Sequence, residues 1–258
     1  MNATLDLSIV GPALVAGLLV TATHVPLGMQ VLDRGIVFID IAIAQIAGTG
    51  VIAADLLGFE HAGGSGQLAA LATALAGALF LTWTDKRWPD VQEAIIGTVF
   101  VLAATAGILL LAGNVHGGEH LKELLVGQIL WVRVADLWLP ALIYVAALVV
   151  WFAFGARLGR AGFYVLFALV VTLSVQLVGV YLVFATLIIP ALATQRVRSR
   201  RLLMAYACGV AGYALGLALS VELDLPSGAA IVWALAVVGV CVAALLSRVS
   251  AGSPDQGA

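Results

Sequence analysis

Apolar residues run along this chain in long blocks, separated by short clusters of polar, glycine and cationic positions. The blocks are 7–27, 35–57, 66–84, 94–113, 137–154, 163–179, 180–194, 202–220 and 227–247. About 20 apolar residues cross a hydrocarbon core roughly 30 Å thick. The pattern predicts an all-α fold: a polytopic transmembrane helical bundle of about eight to nine membrane segments. It is expected to form one transmembrane domain over 1–258.

The stretch Ala161 to Thr194, AGFYVLFALVVTLSVQLVGVYLVFATLIIPALAT, carries no charged side chain. One straight helix of that length would span about 51 Å at 1.5 Å per residue, too long even when tilted. It therefore reads as two passes, or as one pass and a returning half-helix. The break is expected near Gly179, where backbone freedom is greatest. A second irregularity is expected at Pro190. Broken helices at membrane depth are tolerated only where protein buries them or where they line a watery cavity. Gly179 and Pro190 are thus candidates for a translocation path or its gate.

Composition agrees with the pattern. Of 258 residues, 63% are hydrophobic and 10% are charged, with a mean hydropathy of +1.13. Soluble domains are about a quarter charged. The net charge of −2 gives no sign of a nucleic-acid partner, and the lipid bilayer is the expected surrounding. Cys208 and Cys241 lie in apolar runs and read as small hydrophobes. Cations fix orientation. Arg34, Lys86, Arg87, Arg157, Arg160, Arg196, Arg198, Arg200, Arg201 and Arg248 fall on one side only if 163–194 counts as two passes. The opposite side then carries Glu60, His61, His116, Glu119, His120, Glu222 and Asp224, with Lys122 and Arg133. The cation-rich side is expected to be the cytoplasmic one.

The connections have their own signals. His24 to Arg34, with Pro26 and Gly28, reads as a short turn, and His24 as a structural histidine at a segment end. Residues 114–135 read as an external loop followed by a short surface helix from Leu121 to Val132. Gly212 and Gly216 form a G-x-x-x-G pair that lets another helix approach closely.

Few residues can carry chemistry. Asp40 sits inside the second segment, where a carboxylate costs about 2.5–3.5 kcal/mol on insertion scales. Asp33, seven residues earlier, would share its face on a continuous helix. Gln45 is a neutral polar group in the same segment, five positions on and pointing elsewhere. His116, Glu119 and His120 form an H-x-x-E-H cluster, the one concentrated metal-like group in the sequence. An inverted zinc peptidase needs that motif on a helix, and Gly117-Gly118 argues against one. An external loop that meets metal, or a solvated loop without a role, fits better. The chain has no G-x-x-x-x-G-K-[ST] sequence, so it has no P-loop ATP site and is not expected to be an enzyme.

Three stretches resemble the zinc/manganese-type metal permeases of bacterial ABC transporters, in a divergent branch. They are LGMQVLDRGIVFIDIAIAQIAGTGV (27–51), GGEHLKELLVGQILWV (117–132) and VGVYLVFATLIIPALATQR (178–196), with DLPSGAAIVW (224–233) matching the last external turn. A histidine common in the family's Asp-bearing helix is replaced here by Ala44 or Gln45. The resemblance implies a permease subunit of an importer for divalent transition metals, zinc or manganese, with no permanently bound cofactor. It implies a homodimer or paired permease, a cytoplasmic ATPase subunit and an extracytoplasmic metal-binding protein. Asp40 and Gln45 would face the path by position.

One departure stands out. Where the family carries a longer charged coupling segment, only Gly155 to Gly162 separates two passes. ATPase docking would then draw on Arg157, Arg160, Arg196 and Arg198 together. The rivals are a motor-free metal channel or carrier with the same fold, an intramembrane metalloenzyme using His116, Glu119 and His120, and a non-transporting assembly subunit.

Overall fold

The structure is a computed structural model that describes residues 7–58, 65–111, 125–127, 129–155, 157–197 and 199–251. The described residues form nine α-helices: α1 (Leu7–Arg34), α2 (Ile39–Leu56), α3 (Ser65–Arg87), α4 (Gln92–Leu111), α5 (Val134–Phe154), α6 (Gly159–Val178), α7 (Val180–Ala193), α8 (Arg201–Leu223) and α9 (Ser227–Ala251). Eight are long and apolar enough to cross a membrane, and α7 is the shorter apolar helix. Two 3-10 turns, Pro89–Val91 and Ile129–Trp131, precede α4 and α5.

The first helix corrects the expected turn at His24 to Arg34. α1 continues through Pro26 and Gly28 to Arg34. Proline removes the N–H that would bond the carbonyl four residues back. That carbonyl belongs to Ala22, and the Tyr206 hydroxyl of α8 donates to it at 2.9 Å. Gly28 serves packing: a Cβ there would overlap the Leu187 carbonyl of α7. Both apparent breakers are therefore satisfied by neighbouring helices.

The real turn follows at Gly35, where φ is +68°. It puts Asp33 at the end of α1 and Asp40 in the first turn of α2, so they do not share a helix face.

The break at Gly179 is as expected. Gly179 has φ 82° and ψ 160° and joins α6 to α7. The chain reverses there. The start of α6 lies with the end of α1, since Arg34 stacks over Phe163 at 4.2 Å from the ring centroid. The end of α7 heads back toward α1, where Leu187 meets Gly28. Pro190 makes no second break: α7 runs through it, and the Thr194 hydroxyl donates to its carbonyl at 2.8 Å.

Close approach recurs elsewhere. Gly212 and Gly216 of α8 seat Leu235 and Ile231 of α9, as the G-x-x-x-G pair foretold. Gly50 and Gly77 bring α2 and α3 together against Thr73 and Ile46. Thr49 donates to the Ala103 carbonyl of α4 at 2.8 Å. The core holds Phe163, Tyr164, Phe167, Tyr144 and Tyr213. α6 buries 56% of its most apolar window, against 17% for each of α4 and α5, so α6 is central and those two are peripheral.

The cationic end is one face. Arg160 pairs with Asp85 at 3.2 Å, and Arg201 pairs with Asp33 at 3.4 Å. With the Arg34–Phe163 contact, these join the ends of α1, α3, α6 and α8. The chain therefore returns across 163–194 to the end from which α6 starts, with α7 as the shorter returning helix; by the cation rule this end is the one expected to be cytoplasmic.

Candidate functional site

α2 presents its functional residues through helical spacing. Asp40, Ala44, Gly48 and Ile52 follow at four-residue steps and fall on one stripe. Ala44, Gly48 and Ile52 line a narrow crevice with Gln45 and Thr49 of α2. Its other walls are Gly107 of α4, Val175 of α6, Val180 of α7 and Leu125. Asp40 lies one turn nearer the cytoplasmic end. It is wholly buried, and neither carboxylate oxygen has a hydrogen-bond partner. A buried ionised carboxylate without a partner is strongly disfavoured. Such a group holds a proton or awaits a cation.

Above the crevice the chain is closed by backbone. Gly127 has φ +68°, and a Cβ on it would overlap Val178 and Gly179. A Cβ on Gly179 would overlap Gly127 and Val126, and one on Gly228 would press on the Val126 carbonyl. Three glycines from three segments thus meet where α6 turns into α7 and α9 begins. The next turn drives Ile129 into the core at 1% exposure, while Trp131 stays exposed. The described part of the stretch expected to form a surface helix, Leu121 to Val132, is not one continuous helix: Gly127 interrupts it with a positive φ, and Ile129–Trp131 is a 3-10 turn with Ile129 turned inward. The rest of that stretch lies outside the described residues.

The other sequence-derived candidates scatter. Gln45 reaches the crevice, and Gly179 reaches the closure above it. Asp33 is exposed and paired with Arg201, remote in role from Asp40. Pro190 is buried within α7. Arg157 and Arg196 are exposed at the cytoplasmic end, and Arg160 is held by Asp85. His116, Glu119, His120 and Arg198 lie outside the described residues. Among the described residues there is no group of three His, Cys, Asp or Glu that could hold a metal ion.

One buried polar site was misplaced by sequence reasoning, and another escaped it. His24 is mid-helix and wholly buried; its Nδ1 lies 3.0 Å from the Val20 carbonyl, and its Nε2 has no partner. Its depth was hidden by the false turn at Pro26. Gln92 is buried at the cytoplasmic end, where its amide donates to the Leu81 carbonyl at 3.0 Å and to the Tyr164 hydroxyl at 3.2 Å. It accepts from Thr84 at 2.9 Å.

A family model described as the ABC 3 transport family matches residues 6–160 and 155–246. The manganese transport system membrane protein MntC of Halalkalibacterium halodurans is 28% identical over 250 residues, covering 88% of this chain and 84% of that protein. MntC of Listeria monocytogenes is 26% identical over 255 residues, covering 90% and 89%. Among solved structures, PsaBC from Streptococcus pneumoniae in complex with Fab shares the fold, with a TM-score of 0.72 over 90% of each chain at 21% identity.

Proposed function

The chain belongs to the ABC 3 transport family, and on that premise we propose that it is the permease subunit of an importer for a divalent transition metal. Manganese comes before zinc, because similar chains are manganese transport membrane proteins. The transported ion is the substrate and not a resident cofactor. The partners are a cytoplasmic ATPase subunit, an extracytoplasmic metal-binding protein and a second permease, here another copy of this chain. The setting is a bacterial cytoplasmic membrane.

The observation that carries this function is Asp40, buried and unpartnered on the stripe below the crevice. In the proposed cycle the metal-binding protein delivers the ion at the outer end. Separation of the Gly127 segment from Gly179 opens the crevice. Gln45 offers an amide oxygen, and Asp40 offers the negative oxygens that draw the ion inward. One carboxylate and few other ligands bind loosely, which suits an ion that must also leave. ATP-driven motion at the cytoplasmic end then releases it.

Asp40→Asn keeps the shape and removes the charge. Uptake of radioactive manganese is expected to fall at least tenfold while the protein remains inserted at normal levels. Uptake at the original rate would remove Asp40 from transport.

A motor-free carrier is the second reading. It is favoured by the short connection at 155–158 between α5 and α6, which leaves little chain for a coupling element. Transport in vesicles lacking ATP would support it.

A further inference from the structure

A recess of about 470 Å³ opens at the outer end between α5 and α6, with Gln67 of α3 in its wall. It shares no lining residue with the crevice on α2. Its depth can be read along the helices. Gln67 is two residues into α3, Asp136 two residues into α5, and Gln176 two residues from the end of α6. Leu173 and Pro140 lie five and six residues from the same helix ends. At 1.5 Å per residue the recess descends roughly 8–9 Å. That is the level of lipid headgroups and ester groups, where the exposed Trp131 and Trp138 of its wall belong.

Its polar groups are incompletely used. The amides of Gln67 and Gln176 are exposed and have no hydrogen-bond partner among the described residues. Acyl chains offer an amide no acceptor, which makes that contact unfavourable. Next to them, Arg133 Nε and Nη2 donate to separate oxygens of Asp136 at 3.0 and 3.1 Å. This pairing leaves further guanidinium N–H groups and carboxylate lone pairs free. A positive edge and a negative edge therefore stand side by side.

We propose that this recess seats an outer-leaflet phospholipid with a zwitterionic phosphoethanolamine headgroup. The phosphate takes the free N–H groups of Arg133, and the ammonium takes the free lone pairs of Asp136. The ester carbonyls accept from the amides of Gln67 and Gln176. The acyl chains follow Leu173 and Pro140 into the bilayer. A purely anionic headgroup meets one attraction and one repulsion at the same pair, so the seat favours the zwitterion. This assignment goes beyond the importer function and does not depend on which ion is carried. It bears on the outer closure, because Gln176 stands three residues before Gly179 and Trp131 four residues after Gly127. A lipid lodged between them braces both partners of that contact.

The test uses the full chain in nanodiscs of equimolar dioleoyl phosphatidylethanolamine and dioleoyl phosphatidylglycerol. Native mass spectrometry counts the lipid that stays bound when the disc is stripped away. The original chain is expected to retain phosphatidylethanolamine in clear excess. Gln67→Leu with Gln176→Leu should lower that retention about tenfold, the scale of two lost hydrogen bonds. Arg133→Gln with Asp136→Asn keeps the amides and should return the ratio of the two lipids to that supplied. Thr105→Val is the control. Its hydroxyl is exposed on α4 but already bonded within its own helix, so retention should not change. Undiminished retention in the amide variant, or no preference in the original chain, overturns the seat. A preference that survives loss of the Arg133–Asp136 pair overturns the headgroup assignment. Should the amide variant aggregate, p-benzoylphenylalanine in place of Trp138 decides in the same nanodiscs. Cross-linked lipid enriched in phosphatidylethanolamine supports the proposal. Lipid cross-linked in proportion to supply is bulk lipid and overturns it. A cross-link that joins two copies of the chain also overturns it and makes the recess a contact between permeases.

Discussion

The two ends of this bundle are closed by opposite means. At the outer end, Gly127, Gly179 and Gly228 place backbone on backbone, with no room for a Cβ. At the cytoplasmic end, Asp33–Arg201, Asp85–Arg160 and Arg34–Phe163 join helix ends through long side chains. Backbone contact is dry, short-ranged and intolerant of added volume. Charged contact is wet, exchangeable and open to competition from another protein. The difference fits the proposed importer, whose outer end would hold back ions and whose inner end would meet an ATPase.

The strongest way to break that contrast is Gly127→Ala. The added methyl group meets the backbone of Val178 and Gly179, which cannot rotate aside as a side chain would. Overpacking costs about 1–3 kcal/mol, and a positive φ adds roughly 1–2 kcal/mol for a residue with a Cβ. Thermal unfolding in detergent should fall by many degrees. In proteoliposomes without ATP, the surviving protein should leak manganese faster than the original chain. A stable, tight variant would show that the glycine contact is not the seal.

Between the ends, Tyr206→Phe probes the bond that lets α1 ignore its proline. Loss of the hydroxyl leaves the Ala22 carbonyl without the donor it has at 2.9 Å. A lost hydrogen bond to a half-buried site costs about 0.5–1.5 kcal/mol. The effect should be a smaller thermal shift than that of Gly127→Ala, with no leak. A larger loss, with a leak, would mean that the α1–α8 tie also holds the outer end shut.

These contacts explain what the sequence disclosed and what it hid. The reversal at Gly179 was legible because two local signals agreed: an uncharged run too long for one helix, and cations that alternate sides only if the chain turns back. The G-x-x-x-G pair on α8 was legible because close packing needs small residues at that spacing. Asp40 stood out because a carboxylate in an apolar block is rare. The continuity of α1 was not legible, because the group that rescues its proline lies 184 residues further along the chain. That one long-range bond also decided where His24 sits. The inward tuck at Ile129 was hidden for a related reason, since the neighbouring Gly127 packs on Gly179, which belongs to another helix pair. Asp33 and Asp40 were set on one face by assuming an unbroken helix, and the left-handed turn at Gly35 separates them.

The smallest effect should come from Asp33→Asn. The Asp33–Arg201 pair is 3.4 Å long, and Asp33 is 59% exposed, so water competes for its carboxylate. Exposed pairs contribute about 0.2–1 kcal/mol. The contribution is also screened, since the Debye length falls from about 10 Å at 0.1 M salt to about 3 Å at 1 M. Asp33→Asn should therefore shift thermal unfolding slightly at low salt and not at all at 1 M. Gly127→Ala should cost the same at both, because steric overlap has no charge to screen. Salt thus separates the two ends in one experiment. An Asp33→Asn penalty that persists at 1 M would mean that the pair is sheltered from solvent, and that the cytoplasmic end closes more like the outer end than its exposure implies.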